Sequence, residues 1–271
     1  LSPQQLKAVA VVVISLSLLI SLYGFFSARN IQVEEVVIPV DNMPDGISEF
    51  SIVQLSDIHA GAINGPDFVR KNVEIANSLN PDVVVITGDL FDGSSAHSEE
   101  KLKHLVEPIK DLRSRFGSFF ITGNHEKYVG ADLTSGIVAS LNVTPLRNSL
   151  TRVNGITLIG IDNPVSEMRK GIPELSELNI PKDAPSVLLY HVPVGIDDAV
   201  RHGISLQLSG HTHGGQIFPF GLFEKLVYKA VSGLYTQGSF TLYVSRGSGT
   251  WGPPMRVFAP PEITRITLTG K

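Results

Sequence analysis

The sequence predicts an α/β fold, two β-sheets packed face to face with helices on their outer sides, preceded by one membrane-crossing helix. Three observations carry this. An uncharged apolar run opens the chain, and valine- and isoleucine-rich strands alternate with amphipathic helices through the first half. Strands separated by turns then dominate the second half.

The apolar run is Ala8 to Phe26, AVAVVVISLSLLISLYGFF. As a helix it can cross a hydrocarbon core about 30 Å thick. Lys7 and Arg29 bracket it, and Tyr23, Phe25 and Phe26 gather at one end, where aromatic rings favour the interface. A secretory leader has a shorter apolar region and a small-residue cleavage site, which Phe25-Phe26-Ser27-Ala28-Arg29 matches poorly. The chain therefore divides into a membrane segment, 1–29, with its helix at about 8–26, and a folded domain, 30–271. This places it at the cell membrane. Because it opens on Leu1, upstream sequence is expected, and the insertion is read as single-pass or multi-pass.

Residues 30–50 read as a link to the domain, with a strand-like alternation from Ile31 to Ile38. From Phe50, SIVQL, DVVVITG and SFFITG are short buried-strand patterns, each ending in a turn that carries glycine or aspartate. Pro66–Asn80 and Ser98–Phe116, between them, have helical apolar spacing. Such alternation implies right-handed crossovers and a largely parallel sheet. Asn142–Ile161, Ser186–Tyr190, Ser205–Leu208, Ser239–Ser245 and Glu262–Leu268 read mostly as strands. A length of 271 residues supplies a full core. The absence of cysteine excludes thiolate metal sites, cysteine catalysis and disulfides. A net charge of -4 with scattered lysines argues against duplex nucleic acid as a partner.

Chemistry concentrates at the ends of the strand patterns. Asp57 and His59 follow the first, and residues one apart on a strand share a face, so both can aim at one ion. Ligands of open α/β sheets gather at such carboxyl ends. Asp89 ends the second pattern after Gly88, which permits a sharp turn, and one carboxylate can serve two cations. Asn124 offers a neutral oxygen suited to a hard divalent ion. His125 points elsewhere and is a candidate acid for a leaving oxygen, while Glu126 either orients that imidazole or starts the next helix. His191 ends another strand, and His211 and His213 flank Thr212 among glycines that let the two rings reach different metals. Together these residues are a ligand set for two adjacent divalent metals, which can clamp a phosphate and activate a water.

His97, His104 and His202 read as ordinary surface or helix histidines, with His97 of some interest for its place in the loop after Asp89. Tyr190, Phe218, Phe220, Leu222, Phe223 and Trp251 either line an apolar approach or pack in the core. Arg246 and Arg256 either meet a second phosphate or form salt pairs.

From Asp57 to His213 the order D-x-H, G-D, G-N-H-E, a single H, then G-H-x-H resembles the calcineurin-like metallophosphoesterases. The chain is most similar to a membrane-linked bacterial branch that shares Gly214-Gly215-Gln216 and the tail SRGSGTWGPPMRVFAPPEITRITL. That branch includes a YkuE-like group and proteins resembling the UDP-2,3-diacylglucosamine pyrophosphatases of lipid A synthesis. The resemblance implies a four-layer α/β/β/α sandwich and a pair of divalent metal ions, manganese foremost, with iron, zinc or magnesium as alternatives. It implies that Asp57, His59, Asp89 and His213 hold one metal and that Asp89, Asn124, His191 and His211 hold the other. His125 takes the place of the family's proton donor.

The implied activity is hydrolysis of a phosphodiester or pyrophosphate in a membrane-associated, lipid-linked or nucleotide-linked substrate such as UDP-2,3-diacylglucosamine. A nuclease or general phosphodiesterase on soluble substrates is an alternative, and a non-catalytic membrane scaffold another. A scaffold is expected to have lost a ligand, whereas this chain retains every position. One departure counts against phosphoproteins as substrates. Protein serine/threonine phosphatases carry an arginine shortly after G-D, and here Leu90-Phe91-Asp92-Gly93-Ser94 follows.

Overall fold

A computed structural model describes residues 1–93, 98–163 and 171–271. Helix α1 (Pro3–Ser27) begins at a capping box in which the Ser2 hydroxyl accepts from Gln5 N and the Gln5 side chain accepts from Ser2 N. Pro3 stands in the first turn, where a missing N–H costs nothing. At 25 residues α1 is about 37 Å long, so it is long and apolar enough to cross a membrane. Gly24 is its single buried residue.

Within the stretch read as a link, the residues with strand-like alternation are a strand of the domain. They form β1 (Gln32–Val40), which pairs in parallel along β12 (Glu262–Gly270) at the edge of the first sheet. Alternation explains it, because Ile38 and Val40 point into the space between the sheets while their neighbours face outward.

Beyond β12 the first sheet continues through β2 (Glu49–Leu55), β3 (Val83–Ile86), β4 (Ser118–Phe120) and β5 (Thr144–Pro145). The second runs in the order β10 (Gly233–Gln237), β11 (Phe240–Val244), β9 (Leu206–Ser209), β8 (Ser186–Leu189), β7 (Ile156–Gly160) and β6 (Ser149–Val153). On β3, Val83 and Val85 pack between the sheets, whereas Val84 and Ile86 face α2 (Pro66–Ser78), α3 (Glu99–Val106) and α5 (Ala131–Ala139). On β8, Val187 and Leu189 point inward, and Leu188 packs outward against Ile196 and Ala199 of α6 (Ile196–Arg201). Both faces of these strands are buried, which is why they read as unbroken apolar runs. The result is the four-layer α/β/β/α sandwich.

The stretch read as one helix over Ser98–Phe116 leaves α geometry after Val106 and tightens into a 3-10 turn over Glu107–Asp111, where Pro108 withdraws a backbone donor. The short helices α5, α6 and α7 (Phe220–Glu224) escaped the reading because so few turns carry little periodicity, while α4 (Asn124–Val129) is the helix read as one alternative for Glu126.

Strands β2, β3 and β4 are mutually parallel, as are β7, β8 and β9. Their carboxyl ends meet at one end of the sandwich. Beneath that meeting point the buried Gln54 amide donates to Thr87 Oγ1 and Ser209 O, both at 2.9 Å, and ties the two sheets together.

Candidate metal centre

Past their last ladder bonds the β2 and β3 chains stay paired. Asp57 N donates to Gly88 O, His59 N to Asp89 O and Ala60 N to Leu90 O. Asp57 and His59 therefore lie beyond the strand, and they share a direction through left-handed backbone, φ 52° and 51°, not through strand alternation. Asp89 (φ 50°), His211 (φ 75°) and His213 (φ 51°) adopt the same region. Non-glycine residues there cost of order 1–3 kcal/mol each and persist only where the surroundings fix them, typically at functional sites. Gly88 (φ 92°) has a further reason to be glycine, since a Cβ would stand 2.7 Å from both Gly123 N and His191 Nδ1.

The seven residues read as metal ligands come together, all within two adjoining clusters. In one, ligand atoms of Asp57, His59 and His213 lie within 4.8 Å of one another. His59 Nε2 faces His213 Nε2 at 3.0 Å, and Asp57 Oδ1 is 3.6 Å from the latter. In the other, Asp89, His191 and His211 meet the same criterion. Asn124 Oδ1 joins them at 3.2 Å from His191 Nε2 and 3.0 Å from His211 Nδ1. Asp89 belongs to both neighbourhoods, with Oδ2 3.2 Å from His191 Nε2 and 3.8 Å from His59 Nε2.

Backbone and side-chain partners aim these groups. Thr87 O accepts from His191 Nδ1 at 2.8 Å, which directs Nε2 into the cluster. Asp57 accepts from Ser56 Oγ at 2.6 Å and from His211 N. Asp89 Oδ1 accepts from His125 N at 2.9 Å.

The electrostatics suit cations. Burial pulls the imidazolium of His59 down to about 3 and that of His211 to about 4. Burial and the neighbouring Arg256 hold His213 well below its usual value. These rings are neutral and offer lone pairs. Burial pushes Asp57 up to about 6. Burial would also raise Asp89, but the adjacent His191 outweighs it and holds that carboxyl well below the usual range. His191 is lowered by burial and raised more by Asp89, to about 10. Among the described residues neither carboxylate pairs with a lysine or arginine, and His59 Nδ1 is buried without a hydrogen-bond partner. Two buried carboxylates, a neutral amide oxygen and three neutral imidazoles facing one another fit a pair of divalent cations.

His125 stands beside the clusters, its ring 4.5 Å from that of His59. Its Nδ1 makes a short contact to Asp92 O, and because a carbonyl only accepts, Nδ1 is the donor and Nε2 the free nitrogen. Asp92 and His59 form a third grouping with it. Glu126 does not orient the His125 ring. It starts α4, accepting Gly123 N, and also accepts Asp89 N and Phe91 N, so one carboxylate clamps the turn that carries Asp89. Burial and the Asp89 charge push it up to about 7.

Of the two readings given for the arginines, salt pairing holds for Arg246. Arg246 is ion-paired with Glu34 and Glu262, each at 2.6 Å, and pins β1 to the domain. Arg256 is fully buried. Its Nη1 donates to His213 O at 2.9 Å, its Nη2 to Arg246 O and Gly247 O, and Nη2 lies 3.1 Å from His213 Nδ1. It braces His213 and is not open to a substrate phosphate. Tyr228, whose Oη is 3.1 Å from His211 Nε2, was missed because nothing in its spacing distinguishes it. Tyr190 is a core residue beneath α6. His104 lies on the surface near Glu107 and His202 packs on α6, while His97 lies outside the described residues.

Above the clusters a cavity of about 530 Å³ opens. Asp89, Asn124, His125, His211 and His213 line its floor, and Phe220, Glu224 and Trp251 its wall. Burial pushes Glu224 up to about 7.

A model of the calcineurin-like phosphoesterase family matches residues 50–215. The chain belongs to that family. It is 37% identical over 245 residues to an uncharacterized metallophosphoesterase of Helicobacter pylori, covering 89% of this chain and 64% of the relative. It is 36% identical over 276 residues to a transmembrane protein with metallophosphoesterase domain of Danio rerio, covering 95% and 62%. With the uncharacterized metallophosphoesterase YkuE of Bacillus subtilis it shares 32% over 263 residues, covering 91% and 89%. The chain thus spans less than two thirds of the length of the first two. Calcineurin-like phosphoesterases work through a dinuclear metal centre, and residues 50–215 of this chain are the part that carries the family's domain.

Proposed function

We propose that the chain is a membrane-anchored, dinuclear phosphodiesterase or pyrophosphatase acting on a phosphate carried by a membrane-associated molecule. The observation that carries the reading is Asp89 Oδ2, which faces both histidine clusters at once. Asp57, His59 and His213 would hold one cation, Asn124, His191 and His211 the other, and Asp89 both. When bound, such a pair neutralises the phosphoryl oxygens and makes water a nucleophile at neutral pH.

The protein's own groups do the rest. The Asp89 turn is held rigid by Glu126, so the shared carboxylate needs no reorganisation. His125 lines the cavity with Asp92 O fixing its ring through Nδ1–H, and in the doubly protonated form its Nε2–H would give a proton to the departing oxygen. Phe220 and Trp251 offer apolar surface beside the reacting phosphate. The apolar α1 favours a lipid-linked or nucleotide–lipid substrate, of which UDP-2,3-diacylglucosamine is one test compound. Manganese is the metal to try first.

The test is hydrolysis of bis-p-nitrophenyl phosphate by detergent-purified protein, after chelation and again with Mn²⁺ restored. Chelator-sensitive cleavage that Mn²⁺ rescues, and that Asp89→Asn removes, is the expected result. A fully metallated protein that cleaves neither this diester nor lipid-linked pyrophosphates would contradict the reading.

A further inference from the structure

The residues around the cavity mouth form a continuous apolar surface. None of α7 is buried, and Phe218, Phe220, Leu222, Phe223, Leu226 and Val227 are each 54–83% exposed. Trp251 is 59% and Phe258 74% exposed. Isolated apolar side chains on a surface need no explanation, but an apolar run of this extent marks an interaction site.

This surface is joined to the end of α1. The Phe258 ring lies 6.0 Å from both Tyr23 of α1 and Phe218. Arg256 N donates to Gly24 O at 2.9 Å. Gly24 is so close to Met255 and Val257 that a Cβ there would stand 3.0–3.2 Å from their side chains. Val257 pairs with the segment Gln216–Phe218, and the Gln216 amide clamps the Trp251 backbone with bonds of 2.7 and 2.8 Å. From the end of α1 to the cavity wall the rim is thus one connected piece. Lys225 and Lys229 stand exposed beside the apolar residues, where ammonium groups meet lipid phosphates.

We propose that the rim, α7 with its flanking residues together with Trp251 and Phe258, inserts into the headgroup–acyl boundary of the membrane that α1 crosses. The cavity then opens at the bilayer surface and admits the phosphate of an amphiphile whose acyl chains remain in the lipid. The inference rests on α1 being the anchor. It assigns to the rim what the anchor alone does not supply, the orientation of the mouth towards the lipid.

Trp251 is the one tryptophan of the chain, so its fluorescence reports the rim directly. The full chain would be reconstituted in vesicles of phosphatidylcholine and phosphatidylglycerol, with or without acyl-chain bromination. An indole about 5–10 Å inside the headgroups loses about half its emission or more to bromine and is shielded from aqueous iodide. A variant carrying Phe223→Ser, Leu226→Ser and Val227→Ser, none of which lines the cavity, is expected to slow cleavage of a vesicle-borne phosphatidyl p-nitrophenyl diester about tenfold. Its rate on bis-p-nitrophenyl phosphate should stay within about twofold.

An indole open to iodide and untouched by bromine would overturn the proposal and leave the rim to a protein partner. Equal losses on both substrates would overturn it as well. Quenching requires no turnover, so failure of the hydrolase reading shows separately, as a quenched but inactive protein. Release of the chain by alkaline carbonate would refute the anchor and the rim proposal together.

Discussion

The floor of the cavity is buried and charged, while its rim is exposed and apolar. The two lie close in sequence, since His211 and His213 belong to the floor and Phe218 and Phe220 to the rim. The floor spends conformational energy at Asp57, His59, Asp89, His211 and His213 to turn towards one another side chains that would otherwise diverge. The rim also takes positive φ, at Gln216 (φ 48°) and Phe258 (φ 59°), but its parts are joined by plain hydrogen bonds such as those of Gln216 to Trp251. On the proposed reading, chemistry common to any phosphate belongs to the shielded floor, and the choice of phosphate to the apolar surface.

Substitutions on the floor should alter turnover whatever the substrate. The largest effect is expected from Asp89→Asn, which removes the one carboxylate near both clusters and should abolish activity while lowering metal content. Next is His125→Ala, expected to slow turnover by about 10²–10⁴ with both metals retained. Loss of metal in that variant, read by elemental analysis, would mean that the third grouping with His59 and Asp92 is a ligand site.

Arg256 spans the boundary, its amide bonded to Gly24 O at the rim and its guanidinium to His213 O at the floor. Arg256→Met should weaken metal binding by about 10–100-fold, as loss of a group supporting a ligand does. It should also cost about 3 kcal/mol or more of stability by stranding buried carbonyls. Unchanged affinity in a destabilised variant would show that floor and rim are independent.

The smallest effect is pH-dependent. His191, raised to about 10, carries a proton on Nε2 in the metal-free protein, and a cation must displace it. Below about 6 the Asp57 carboxyl is protonated too. Metal affinity should therefore fall with acid and rise with pH through neutrality, by about tenfold per unit for each proton displaced. Calorimetric titration in buffers of differing ionisation enthalpy counts those protons.

The sequence reading reached the floor further than the rim for a physical reason. Divalent cations demand particular donors, so Asp57, Asp89, Asn124 and the histidines stand out at strand ends whatever their backbone does. What the pattern did not carry was how they converge. Strand alternation was the expected device at Asp57 and His59, and positive φ is the actual one. The layers and the strand character of β1 were legible from alternation, but its place along β12, more than 200 residues away, lies beyond any local pattern. The supporting groups Glu126, Tyr228 and Arg256 act through contacts that spacing does not encode. On the rim, Phe220 and Trp251 could not be told from core residues such as Tyr190, because only their exposure separates them.

The central claim, that two cations share Asp89, is tested most directly by the metal content of single-ligand variants. Purified protein should bind two Mn²⁺ per chain. His213→Ala and His211→Ala should each retain one, and Asp89→Asn should lose affinity at both. Loss of both metals in either histidine variant, with the fold intact by circular dichroism, would contradict the claim. So would an Asp89→Asn protein that still binds two tightly.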